Sequence, residues 1–90
     1  MNKIMIAIEE QISKEIRDLF TKHNLPLVCA WEIVRYVETR LSEFYKAVAN
    51  DPHRDERLKH FILALAHDVA SRCDHKVSDE LFKIISSIEL

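Results

Sequence analysis

The expected fold follows from residues 27–48, which read LVCAWEIVRYVETRLSEFYKAV. Apolar side chains recur there every three or four residues, and this spacing places them on one side of an α-helix. The apolar face runs for about six turns and comprises Leu27, Ala30, Val34, Val37, Leu41, Tyr45 and Val48. Trp31, Ile33 and Phe44 flank that face, and we expect them in the core. A helix with so long an apolar face must pack against other helices.

The segment before this helix predicts another long helix, from Asn2 to about Lys22. Asn2 is a residue type suited to cap a first turn. Apolar residues recur at every fourth position, namely Ile4, Ile8, Ile12, Ile16 and Phe20. On a regular α-helix such a row drifts by about 40° per step and forms an inclined ridge. Pro26 then favours the start of the next helix, which we expect to reach Ala49.

The sequence Asn50-Asp51-Pro52 marks the clearest boundary in the second half of the chain. Asp51 is a plausible cap and Pro52 suits a first helical position, so a third helix is expected from Pro52 to Cys73. Its middle, residues 61–66, is apolar nearly all the way round, which indicates a central helix or a subunit interface. Ser78 is the expected cap of a fourth helix that ends near Ile88.

The chain of 90 residues has no glycine and only two prolines. Hairpin turns and phosphate-binding loops depend on glycine, because glycine allows positive φ angles and close approach of the backbone. The composition therefore argues against a sheet protein and against a nucleotide-binding loop. We expect one all-α domain over residues 1–90, a four-helix up-down bundle-like domain with three long helices and a shorter C-terminal helix.

Charge and cysteine content narrow the functional classes. The 13 basic and 15 acidic side chains are interleaved, with a net charge of −2, so we predict no nucleic-acid partner. The apolar run at residues 4–8 is too short for a signal peptide, and no segment is long enough to span a membrane. Cys29 and Cys73 lie 44 residues apart without a CxxC motif. We interpret them as small packing residues of a cytoplasmic protein.

Three histidines form a regular series on the third predicted helix. His53, His60 and His67 are spaced by seven residues, and Asp74 continues the series. Seven residues make almost two full turns, so these side chains project from one side of the helix, opposite its apolar stripe. They form either a polar face or a face that responds to pH. His67, Cys73 and His75 do not complete a ligand set, and we predict no metal and no cofactor.

Residues 54–60, which read RDERLKH, contain a short pattern at the start of the third predicted helix. The pattern resembles the R-x4-6-H motif of HEPN-domain ribonucleases, in which the arginine is often followed by a polar residue such as Asp. This resemblance covers seven residues. It implies a helical bundle that dimerises and cuts RNA without a metal, with Arg54 and His60 at the site. Residues 17–23, RDLFTKH, carry the same pattern, and the ribonuclease is the alternative to a binding function.

Three apolar residues fall outside the main faces of their helices. Ile6, Tyr36 and Leu63 lie on secondary faces of the first, second and third predicted helices, which indicates surface that one monomer does not bury. We therefore predict a small non-enzymatic helical module that binds another protein and forms a homo-oligomer. Regulators, inhibitors, immunity proteins and chaperones are of this type. The predicted partner-binding residues are Tyr36, His60, Leu63 and His67.

Overall fold

The structure, a computed structural model, describes residues 3–90 and is all-helical. The first helix, α1, has three consecutive segments, which are α-helical at Lys3–Ile8, π-helical at Glu9–Ser13 and α-helical at Lys14–Lys22. The other helices are α2 (Leu27–Ala47), α3 (Arg54–Arg72) and α4 (His75–Ser86). The prediction of three long helices followed by a shorter one is confirmed. The predicted cap Asn2 lies outside the described residues.

Contacts between α2 and α3 show that these helices run antiparallel. The Tyr36 hydroxyl donates a hydrogen bond to Asp68 Oδ2 at 2.8 Å. Farther along α2, the Phe44 ring stacks on Phe61, with centroids 4.2 Å apart and planes 3° from parallel. Later positions on α2 therefore meet earlier positions on α3, as short connections between long helices predict.

The fourth helix closes the bundle between α3 and α1. The Ser78 hydroxyl donates to the Ala70 carbonyl of α3. On the other side, the Gln11 amide of α1 donates to the Glu89 carbonyl at 2.8 Å, and Gln11 Oε1 accepts from the Glu89 amide at 2.9 Å. Since α1 also packs on α2, each helix contacts two neighbours in an up-down-up-down order.

The core lies between two layers of helices. The Cα atoms extend over 43 × 25 × 16 Å, and the smallest dimension fits two layers of helices packed about 8 to 10 Å apart. Among residues 3–90, no helix is both long and apolar enough to cross a membrane. The most deeply buried large side chains are Ile8, Ile12, Ile16, Leu41, Leu81, Ile85, Val37 and Val77.

The π-helical segment of α1 changes the geometry of the i+4 row. Ile8, Ile12, Ile16 and Phe20 are all buried, although three steps of about 40° would spread them over about 120° on a regular α-helix. A π-helical turn holds one extra residue and rotates the residues after it back by about 100°. The row therefore runs almost along the axis and not as the inclined ridge that we expected.

Two helix starts differ from the sequence prediction. The α3 helix begins at Arg54, because Asp51 Oδ1 accepts the His53 amide at 2.8 Å and holds residues 51–53 in a turn. The α4 helix begins three residues before the predicted cap, and Asp74 caps it by accepting the Lys76 amide at 2.9 Å. The prediction of a Ser78 cap is wrong, since that hydroxyl bonds to α3.

The turn between α1 and α2 depends on Asn24, which has a φ of 57°. The Leu25 amide bonds the Phe20 carbonyl at 2.8 Å, and the Asn24 amide bonds the Thr21 carbonyl at 3.1 Å. This pair of bonds is a Schellman motif, which requires a left-handed residue after the helix. Glycine usually fills that position, and in this glycine-free chain asparagine takes it.

Two substitutions at Asn24 should separate the backbone requirement from the loss of the side chain. Asn24→Ala should lower the free energy of unfolding by about 1 kcal/mol, because alanine lacks the short polar side chain that lets asparagine occupy the left-handed region. Asn24→Gly, which also removes the side-chain amide, should leave stability unchanged or raise it. Urea unfolding of both variants measures the difference. Equal stability of the two would show that φ at this position does not limit the fold.

Candidate functional site

An apolar cleft of about 370 Å³ opens at the end of the bundle where α1 ends and α2 begins. The Schellman turn and the first turns of α2 form one wall. The last turn of α3 and the start of α4 form the other. The apolar lining residues include Phe20, Leu25, Ile33, Val69 and Val77. This end of the molecule therefore presents a concave apolar surface that remains open to solvent.

Tyr36, one of the predicted partner-binding residues, lies half-buried in the wall of this cleft. Its hydroxyl donates to Asp68 Oδ2 at 2.8 Å, and Arg72 Nε lies 3.0 Å from Asp68 Oδ1. The Arg72 guanidinium carbon also lies 5.9 Å from the centroid of the Tyr36 ring. Both carboxylate oxygens of Asp68 are thus engaged, and the network ties α2 to α3 beside the cleft.

The same cleft contains both cysteines of the chain. Cys29 is on the first turn of α2 and Cys73 follows the last residue of α3; both are free thiols and half-buried. Burial raises the pKa of the Cys73 thiol, and the nearby Cys29 raises it further. Sequence reasoning treated the two as separate packing residues. The sequence did not predict that both would line one cleft, because spacing within one helix says nothing about contacts between helices.

Three apolar residues at the start of α2 are exposed, although two of them were expected in the core or on the core face. The exposed fractions are 48% for Leu27, 61% for Val28 and 51% for Trp31. The expectation for Leu27 and Trp31 is wrong, because packing of the bundle leaves about half of each side chain open to solvent. The Arg17 guanidinium carbon lies 5.5 Å from the centroid of the Trp31 ring. These residues cover the outer side of the turns whose other side lines the cleft.

The other predicted partner-binding residues lie on a different surface. His60, Leu63 and His67 are exposed on the outer face of α3, and Leu63 is 44% exposed. The His67 ring lies 4.6 Å from the Phe82 ring of α4. The structure therefore brings these three together on one face and places Tyr36 on another. Within residues 3–90, no group of three potential ligands could hold a metal ion.

Arg54 and His60, the pair that resembles a ribonuclease motif, diverge within one chain. They are six residues apart on α3, so their side chains point about 120° away from each other. The Arg54 guanidinium carbon lies 5.9 Å from the centroid of the Tyr45 ring on α2, while His60 is exposed. The arginine of the second match, residues 17–23, lies over Trp31. Neither match forms an arginine–histidine site in the monomer.

A buried carboxyl group lies beside the π-helical segment. Glu38 on α2 is 4% exposed, and among the described residues its Oε1 has no hydrogen-bond partner. Burial raises the pKa of Glu38, and the charge and hydrogen bond of Glu9 raise it further, against a smaller opposite effect of Arg35. Sequence reasoning missed this residue, although Glu38 directly follows Val37 of the apolar face.

Comparisons with known protein families, with curated protein sequences and with solved structures find no match for this chain. The candidate site is therefore defined by its own geometry. Its features are an apolar cleft, two thiols in its walls and a hydrogen-bonded network beside it, with exposed apolar residues next to it.

Glu38→Gln should make the stability of the protein less dependent on pH. A carboxyl group with a raised pKa favours folding when it is neutral, so the wild-type free energy of unfolding should fall as the pH rises above 4.5 through the folded-state pKa. The variant should be more stable than wild type at pH 8, and the difference should vanish towards pH 4. Chemical unfolding at several pH values measures this, with the exposed Glu43→Gln on the same helix as control. Parallel pH profiles of wild type and Glu38→Gln would contradict it.

Tyr36→Phe should lower the free energy of unfolding by about 1 kcal/mol, because it removes the hydrogen bond to Asp68 and keeps the ring. Ser71→Ala is the matched control. Its hydroxyl bonds the Asp68 carbonyl within the same helix, so its loss should change stability by less than about 0.5 kcal/mol. Urea unfolding measures both. An effect of Tyr36→Phe no larger than that of Ser71→Ala would show that this bond does not hold α2 to α3.

Proposed function

We propose that this chain is a non-enzymatic protein-binding module whose binding surface is the cleft together with the first turns of α2. The observation that carries the proposal is the coincidence of an apolar cleft of about 370 Å³ with the exposed Leu27, Val28 and Trp31 on the turns that form its wall. A concave apolar site bordered by a few polar groups is the usual form of a binding pocket. Exposed apolar side chains beside it enlarge the apolar surface that a partner can cover.

The charges around the cleft indicate the chemistry of the partner. Arg72 is neutralised by Asp68 at 3.0 Å. Glu32 lines the cleft and is exposed, and no ion pair to it occurs within the described part of the chain. Asp74 adds a second carboxylate. We therefore propose that the partner segment inserts an apolar side chain next to a lysine or arginine that faces these carboxylates.

The biological role fits a regulator, an inhibitor, an immunity protein or a chaperone, all of which act by covering a surface of another protein. We also propose that the protein works in a reducing compartment, the cytoplasm in the first instance, because two cysteines are too few for a disulfide scaffold. A homo-oligomer is a separate part of the proposal. It is supported by the exposed Leu63 and by Ile6, which is 43% exposed on α1.

One pair of variants distinguishes the cleft from the outer face of α3. Val28→Asp places a charge beside the cleft, and Leu63→Asp places one on the other face; both positions are exposed, so both variants should fold. The partner is first captured from the native host with wild-type protein and identified by mass, and its affinity for each variant is then measured. Val28→Asp should weaken binding at least tenfold, that is by about 1.4 kcal/mol, and Leu63→Asp should not.

Affinity should also fall as salt rises, because the proposed contact of a basic residue with Glu32 is screened. If Leu63→Asp lowers the affinity for the partner and Val28→Asp does not, the binding surface is the outer face of α3 and the cleft proposal is wrong. Sedimentation of the same two variants tests the homo-oligomer. A dimer that Leu63→Asp dissociates would support it, and a monomeric wild type would reject it.

A further inference from the structure

The two thiols in the cleft belong to segments whose relative position is held by several contacts. Cys29 lies two turns before Tyr36 on α2, and Cys73 directly follows Arg72 on α3. The hydrogen bond of Tyr36 to Asp68 and the ion pair of Asp68 with Arg72 join these same segments at 2.8 and 3.0 Å. The network thus holds in place the two segments that bring Cys29 and Cys73 into the lining of one open cleft.

We propose that Cys29 and Cys73 form a dithiol site that a low-molecular-weight disulfide oxidises to one intramolecular disulfide across the cleft. Both thiols line the same cavity and are only half-buried, so a small oxidant reaches them through the open side. The site does not depend on the proposed protein partner.

The reaction proceeds in two exchange steps. The Cys29 thiolate attacks one sulfur of the small disulfide, forms a mixed disulfide and releases one small thiolate. The Cys73 thiolate then attacks the Cys29 sulfur of the mixed disulfide and releases the second small thiolate. The two protons lost by the protein thiols are taken up by the two released thiolates. Two protein thiols are oxidised and one small disulfide is reduced, so electrons and atoms balance.

The order of attack follows from the environment of the two cysteines. Burial and the neighbouring Cys29 raise the pKa of Cys73, so less of it is thiolate at neutral pH. Cys73 is therefore the resolving residue, and it lines the same cleft as Cys29. The overall rate should rise by up to about tenfold per pH unit between pH 7 and 8, because only thiolates react.

The disulfide would tie the first turn of α2 to the connection between α3 and α4. It would close a loop that contains residues 30–72 and would join the two walls of the cleft. A loop of this length restricts the unfolded chain strongly, so we expect the oxidised protein to melt roughly 10 °C higher than the reduced protein. In the oxidised form the cleft should also be less able to widen.

The test uses the full chain and oxidised glutathione as the probe. Folded wild-type protein should lose both free thiols and two hydrogens in mass, with no added glutathione and no dimer. Cys29→Ser and Cys73→Ser, which keep the size of the side chain closely, should each stop at a mixed disulfide. The decisive comparison is the equilibrium with glutathione for folded protein against protein in concentrated urea. The equilibrium constant for forming the intramolecular disulfide should be at least tenfold larger in the folded protein than in the unfolded chain.

Other outcomes overturn the proposal. Wild-type protein could stay reduced, carry glutathione on both cysteines or form disulfide-linked dimers. Each of these results would show that the fold does not hold the two thiols within reach of each other. An equilibrium constant for disulfide formation that is no larger in the folded than in the unfolded chain would also overturn the proposal. None of these results bears on partner binding at the cleft, which the Val28→Asp comparison tests in reduced protein.

Discussion

Burial of the apolar face of α2 is the constraint on which the other helices depend. Val34, Val37 and Leu41 are at most 2% exposed, and both α1 and α3 pack on the helix that carries them. The short connections require α1 and α3 to lie antiparallel on either side of α2, and α4 then fills the remaining space between them. Apolar burial of this extent supplies the main favourable term in folding.

The buried face of α2 is apolar except for one carboxyl group, that of Glu38. Glu38 lies next to Val37 and is buried against α1 at the level of the π-helical segment Glu9–Ser13. A carboxylate there lacks water, and the acid Glu9 disfavours its charge further. The extra residue of the π-helical turn keeps the isoleucines of α1 on the core side. The same segment carries Glu9, whose side chain contacts the buried carboxyl group.

The cleft arises because the α1–α2 turn and the α3–α4 connection meet at one end of the bundle without filling the space between them. Asn24 directs the chain so that Leu25 and Pro26 form one side of the opening. The Tyr36–Asp68–Arg72 network holds the walls together while leaving the space open. Binding of an apolar side chain and oxidation of the two thiols would both use this opening, and each would limit its movement.

The number of helices, their approximate ends and most of the core could be predicted from the sequence, because 3.6-residue periodicity and proline positions are local properties. The exposure of Trp31 and the placement of Cys29 and Cys73 in one cleft depend on how the helices pack against each other. Periodicity shows that a side chain lies on an apolar face, but a neighbouring helix must extend far enough to cover it. Likewise, residues on two helices meet only when connections and packing set the helices in register, and no spacing along the chain encodes that register.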